Sequence, residues 1–531
     1  MLFTSYEFMI FVLVTAVLYY LVPKRFQWCL LLAADYVFYA IAGAAYLPFI
    51  LITTISAYLA GMKLRSMKRR QEQYLAEHKA QMNREEKKAY KAVEKKKQWR
   101  WLLLTLLLNL GILAVLKYTN FTIANINSLL HTFGSGGRIS PVDFVLPLGI
   151  SFYTFQTLGY IIDVYRGKYE AETHFFKFAL FVSFFPQLVQ GPISRFDALS
   201  KSLFAEHRFD AVTVSRGLQR ILWGYFKKMV IADRMLVAVN ALIQNPDTYQ
   251  GAYVFAGMLF YALELYADFT GGIDITIGIA EMLGIRVAEN FHRPYFSKNI
   301  KEYWNRWHIT MGTWFTDYIF YPISVCQPML NLSKFSRKHL GDALGKRVPV
   351  YLSSFVVWFT TGIWHGASWN FIVWGLGNFV VIMISQELEP LYRRFHGRFP
   401  QAKEKWGFRA FQVLRTVLLM SSLRMFDCYR DVPLTFRMFG TMFTRWNWGE
   451  MFRGGLMGLG LAGKDYFILL AGLVILIVVS LLQRTGGVRE RIAAKPVWIR
   501  TFVWYGLFLA VLLFGAYGVG YDASQFIYNQ F

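Results

Sequence analysis

Three apolar stretches, Tyr6–Val22, Trp28–Ala42 and Tyr46–Met62, follow one another with only short turns between them. Further runs of the same character come at Trp101–Leu116, Tyr466–Leu482 and Phe502–Tyr517. Such runs need hydrocarbon around them, and hydrocarbon leaves the backbone few choices. Each N–H and C=O must be satisfied inside the chain, so the segments are read as helices. The fold class expected is an all-α polytopic membrane protein with about 11 to 13 transmembrane helices plus re-entrant or interfacial helices. Charged residues make up only 17% of the chain and hydrophobic residues 55%, which excludes a disordered or ordinary soluble protein. Three scattered cysteines (Cys29, Cys326, Cys428) exclude a disulfide scaffold and imply no metal site.

The net charge of +24 lies between the apolar runs, so it is read as orientation and not as a nucleic-acid surface. Lys63–Arg100 holds 14 Lys/Arg and 5 Glu and reads as a cytoplasmic helical insert, suited to docking or to anionic membrane lipid. Counting back three crossings places the N-terminus outside. The loop after Leu482, with Arg484, Arg489, Arg491, Lys495 and Arg500, places the C-terminus outside as well. Thr119–Asp143 reads as an outside loop. Basic residues on both sides of Phe175–Val189 defeat simple alternation, and a re-entrant segment resolves the conflict. The organisation expected is 1–62 N-terminal transmembrane helices, 63–100 the charged insert, 101–425 a catalytic core, and 426–531 C-terminal transmembrane helices.

Soluble-enzyme motifs are absent: no phosphate-binding loop, no dinucleotide fingerprint, no zincin motif and no nucleophile elbow. Two histidines stand out instead. His308 lies in Tyr303-Trp304-Asn305-Arg306-Trp307-His308, with Asp317 nearby. His365 lies in Gly362-Ile363-Trp364-His365-Gly366-Ala367-Ser368-Trp369-Asn370, between apolar runs. A histidine at membrane depth is costly and marks function by default, although a lone one can simply satisfy a neighbouring carbonyl. From the basic Lys334–Arg347 segment, about 15 helical residues carry the chain roughly 23 Å to His365, which places it in the outer half of a core about 30 Å thick. A neutral imidazole there can take the proton from a hydroxyl attacking an activated carbonyl, while Trp N–H, Asn or Arg groups steady the oxyanion.

The two histidine motifs resemble those of membrane-bound O-acyltransferases. Three further pieces, Leu146–Phe155, Phe185–Ile193 (with Gln187) and Phe526–Phe531, are similar to the bacterial branch that includes the alginate O-acetyltransferase membrane subunit. The resemblance implies a central funnel or tunnel, His365 as the catalytic histidine and His308 as the second active-site histidine. Trp304, Asn305, Arg306, Trp307, Asp317, Trp364, Ser368, Trp369, Asn370 and Gln187 become candidates for binding donor or substrate. No bound cofactor or metal is implied. Acetyl-CoA is the expected donor, and an exported esterase-like partner and an extracellular polysaccharide are the expected acceptors. The location expected is a bacterial cytoplasmic membrane. The alternative is D-alanyl transfer from a carrier-protein thioester to teichoic acid. A transporter without acyl chemistry is a further reading, disfavoured because the intramembrane polar groups gather in two motifs. Two positions depart from the family pattern: Thr316 stands where an arginine is usual, and Asn529 where an aromatic residue is common.

Overall fold

The computed structural model describes residues 3–134, 136–144 and 146–517, and among these the secondary structure is helical apart from one isolated bridge, Phe291 to Trp307. The Phe526–Phe531 motif lies outside the described residues. Among the described residues six helices are long and apolar enough to cross a membrane, within 24–77, 84–132, 252–282, 369–387, 463–485 and 497–514. Shorter apolar helices cover 6–21 and 175–190. The expectation of about 11 to 13 crossings is larger because it counts shorter or more polar helices, Arg347–His365 among them. The chain divides into two compact units, Met1–Val214 with Ile279–Val287, and Ser215–Gly278 with Ala288–Phe531.

In the first unit the charged insert is no separate module. The Leu47–Glu77 and Arg84–Thr132 helices each run unbroken from an apolar span into it. Residues 63–77 and 84–100 are rich in Lys, Arg, Glu, Gln and Ala, which favour helix, so nothing stops either one. The turn between them ends at Asn83, whose side chain accepts from Glu86 N–H while its own N–H donates to the Glu86 carboxylate, both at 2.8 Å. Tyr74 stacks on Tyr90 at 4.5 Å and Gln98 donates to Gln71 at 3.0 Å, so the two arms form a hairpin. Thr119–Asp143, expected as a loop, is helical through Thr132. No Gly or Pro interrupts it before Gly134, Thr122 and Asn125 donate to carbonyls one turn back, and Asn120 exchanges hydrogen bonds with the Val142 backbone.

Further along, the Phe175–Ser183 helix breaks at Phe184 before Phe185–Gln190, with Pro186 at the new start. The fully buried Asp35 holds this break, accepting from Phe185 N–H at 2.8 Å and from the Ser183 hydroxyl at 3.1 Å. Broken backbone buried within protein is the form in which non-helical chain is tolerated at membrane depth.

The second unit is built on close helix crossings. Gly217 and Gly224 face Gly278 and Gly271 across the Ala211–Tyr225 and Ala252–Met282 helices. A Cβ added to Gly224 would meet the Gly271 carbonyl at 2.6 Å, and one on Gly278 would meet Ile221 at 2.7 Å. Glycine at seven-residue spacing lets the backbones touch where no hydrophobic effect drives them together. Beside this crossing lie buried ion pairs, Lys227–Asp274 at 2.6 Å and Lys228 with Asp268 and Asp233 at 2.6 and 2.7 Å. Charges excluded from water persist only when paired like this.

Arg347–His365 and Trp369–Glu387 form a second tight hairpin. A Cβ on Gly375 would strike the Trp358 carbonyl at 2.5 Å, and one on Gly362 the Phe371 carbonyl at 2.6 Å. The Gly366-Ala367-Ser368 interruption is the turn, and it leaves His365 as the last residue of the first helix.

Candidate active site

His308 is shaped first by its backbone. It caps the Ile309–Phe315 helix in the left-handed region, φ 49°, ψ 52°, unusual for a residue with a side chain. Such a conformation costs on the order of 1–3 kcal/mol and persists only where its surroundings impose it. Here they do: Ile309 N–H donates to the Asn290 carbonyl at 3.0 Å, and His292 N–H to the Arg306 carbonyl at 2.9 Å.

The Asn290 side chain, fully buried, then fixes the ring. Its Oδ1 accepts from both the N–H and the hydroxyl of Thr310, each at 3.0 Å. His308 Nδ1 lies 3.2 Å from the Asn290 NH2 group and 3.3 Å from Oδ1, and since Oδ1 already accepts twice from Thr310, the NH2 group is the partner we assign as donor to Nδ1. A neutral imidazole accepting at Nδ1 carries its proton on Nε2, an assignment made from the network. His308 lies outside the six candidate spans. Burial pushes its pKa down and the Arg424 guanidinium pushes it further. The ring is therefore a neutral donor through Nε2–H.

His365 is buried as well, and its ring meets Trp374 edge-on at 4.6 Å and Trp364 at 5.0 Å. Trp364 also packs against His308, at 6.0 Å. Trp304 contacts Trp374 at 5.9 Å and Trp358 at 4.8 Å, and Trp307 stacks on Tyr303 at 5.6 Å. The two motifs, more than fifty residues apart, thus share one aromatic cluster. The indole N–H groups of Trp304 and Trp374 are buried without a hydrogen-bond partner among the described residues, and each is a donor available to a reacting oxygen.

A cavity of about 1660 Å³ abuts the cluster. Trp304, Trp307, Trp358 and Thr361 form part of its wall, and neither histidine lines it. Lys298, Lys301, Lys346, Arg347, Arg394, Arg398 and Arg415 also line it, against Glu387 and Glu389. The cavity is apolar over much of its wall and carries an excess of cations, a combination suited to an amphiphile with phosphate groups.

The other expected residues separate. Asn305 lines the cavity. Arg306 turns to Glu302 at 2.5 Å and to the Arg293 carbonyl. Asn370 donates to the Phe426 carbonyl at 3.1 Å and accepts from the Ser368 hydroxyl, so both serve the turn. Trp369 is 57% exposed. Asp317 sits in a π-helical turn, 316–320, and does not line the cavity, whereas Thr316 does and bonds its own helix at the Gly312 carbonyl. Gln187 belongs to the first unit, where it donates to Ser194 at 2.6 Å. Sequence reasoning missed Asn290 and Arg424. Neither stands in a motif, and the only local signal at Arg424 is a lone charge in the otherwise uncharged Val417–Phe426 run.

The membrane-bound O-acyltransferase family model matches residues 171–429. A probable alginate O-acetylase of Pseudomonas putida is 32% identical over 87% of this chain and 84% of its own length. A peptidoglycan O-acetyltransferase of Helicobacter pylori is 28% identical over 70% of this chain and 66% of its own. A teichoic acid D-alanyltransferase of Bacillus subtilis is more distant, 26% identical over 46% of this chain and 59% of its own.

Proposed function

Because the chain belongs to the membrane-bound O-acyltransferase family, we propose that it takes acetyl groups from cytosolic acetyl-CoA and delivers them across a bacterial cytoplasmic membrane to an extracellular polysaccharide. The observation that carries the reading is the gathering of His308 and His365 into one aromatic cluster beside a cation-lined cavity. Similarity to the O-acetylases is higher and more extensive than to the D-alanyltransferase, which favours acetyl over D-alanyl.

In this reading the cavity's lysines and arginines hold the donor's phosphates and the apolar wall guides its thioester arm. Several of these cations, Lys346, Arg347, Arg394 and Arg398, fall in segments whose charge marks them as cytoplasmic. His308 Nε2–H donates to the thioester carbonyl and polarises it. His365 accepts the proton of the acceptor hydroxyl as its oxygen attacks. The new C–O bond forms, the C–S bond breaks, and the proton passes from His365 to the departing thiolate. The acceptor is either the polysaccharide itself or an exported esterase-like partner that completes the transfer.

Membranes containing the protein and its candidate partner, given acetyl-CoA labelled in the acetyl group, test this. Label should reach partner or polysaccharide with wild type and fall by about 10²- to 10⁴-fold with His365→Ala at equal membrane abundance. Transfer from a D-alanyl carrier thioester in place of acetyl-CoA would replace the donor assignment.

A further inference from the structure

Arg424 lies in the last two turns of the Trp406–Tyr429 helix, on a buried face, with its side chain 5% exposed. Its guanidinium carbon is 4.8 Å from the Trp374 ring, 5.0 Å from Trp307 and 5.8 Å from Trp304. Two of those rings, Trp304 and Trp307, belong to the His308 motif, and the third, Trp374, packs edge-on against His365. One cation therefore contacts the aromatic cluster without itself lining the cavity that Trp304 and Trp307 line.

The charge is poorly neutralised for so dry a place. Its nearest carboxylate, Asp427, is 3.8 Å away, outside hydrogen-bond range, and Asp427 is itself engaged with Tyr261. The Tyr303 hydroxyl hydrogen-bonds the guanidinium, but Nε has no partner among the described residues. Tyr261, Tyr295 and His308 also lie within reach of its charge. A buried ion pair kept for stability alone is better satisfied, as Lys228 is by two carboxylates within 2.7 Å. Stability offers little reason to keep an incompletely paired guanidinium here, since well-packed apolar residues serve as well or better. A fixed positive charge has a clear use beside a reaction that builds negative charge on oxygen, because preorganised charge in a dry site costs nothing to reorient.

We propose that Arg424 is a positioning residue for acyl transfer. Through cation–π contacts it locks Trp304, Trp307 and Trp374 in register, and so sets His308 and His365 at their working separation, and its charge stabilises the oxyanion formed between them. The inference rests on the acyl-transfer reading above and adds the residue that joins its two motifs. Arg424 touches neither donor nor acceptor. Arg424 does not itself line the donor cavity, so its loss acts on the rate of the chemical step more than on donor capture.

The test is single-turnover transfer from labelled acetyl-CoA, with equilibrium donor binding measured on the same detergent-solubilised preparations of wild type, Arg424→Met, Arg424→Lys and His365→Ala. Arg424→Met should slow the step by about 10²- to 10³-fold while the donor Kd moves less than about threefold. Arg424→Lys, which keeps charge and a cation–π contact, should recover at least about tenfold of that loss. Arg424→Met turning over at the wild-type rate overturns the proposal. So does an Arg424→Lys protein that binds donor normally and is as slow as Arg424→Met. Should Arg424→Met fail to accumulate, Arg424→Lys decides alone: a rate within about 10²-fold of wild type supports the proposal, and a larger loss with donor binding intact overturns it. An inactive wild type would instead indict acetyl-CoA as donor, and the same series is then run with a carrier-bound thioester.

Discussion

Asn290 shows how one buried amide assigns chemistry to a histidine. Its oxygen is spent on Thr310, so its NH2 group faces Nδ1 and the proton of His308 stays on Nε2. Asn290→Asp reverses the logic. A carboxylate would draw the proton to Nδ1 and leave Nε2 an acceptor facing the substrate. Transfer should fall by about 10²- to 10³-fold, close to the loss in His308→Gln, with the protein still folded and donor binding kept. Near-wild-type turnover in Asn290→Asp would remove the donor role of His308. The two histidines were legible in sequence because each sits among tryptophans in an apolar setting. Asn290 and Arg424 were not, since they lie 18 and 116 residues from His308 and only tertiary packing brings them to it. Arg306, Asn370 and Ser368 were legible as neighbours of the motifs, but adjacency in sequence does not set where a side chain points. Arg306 and Ser368 bond within their own segments, and Asn370 ties its turn to the Phe426 carbonyl of another helix.

At the scale of elements, glycines carry the second unit. Gly224 against Gly271, and Gly278 against Ile221, bring two helices within backbone contact beside the paired Lys227 and Lys228. Gly278→Val forces that crossing apart and should cost about 1–3 kcal/mol, read as a lower Tm of the detergent-solubilised protein. An unchanged Tm would mean that the contact is not tight. Helix and charge were readable along this chain because apolar length and basic loops announce themselves. Helix ends were harder. The charged insert proved to be the continuation of two spans, and the Thr119–Asp143 segment stays helical to Thr132, because polar residues satisfied by their own helix do not end it.

For the whole molecule the cavity is the feature that sequence could not supply. Its cations come from 298–301, 346–347, 394–398 and 415, and no one of these stretches reads as a site. Arg394→Glu with Arg398→Glu should raise the KM for a phosphate-bearing thioester by about tenfold, leave kcat nearly unchanged, and lose much of that effect at high salt. An unchanged KM would move the donor elsewhere. The family, by contrast, was readable early, because two motifs hold both the unusual residues and their spacing from apolar runs. The account stands or falls on those motifs forming one catalytic unit. The most direct measurement is single-turnover acyl transfer by His308→Ala, His365→Ala and the double variant. If the histidines act together on one thioester, the double variant should be no more than about threefold slower than the slower single variant. If the two losses multiply, the histidines work independently and the shared site is wrong.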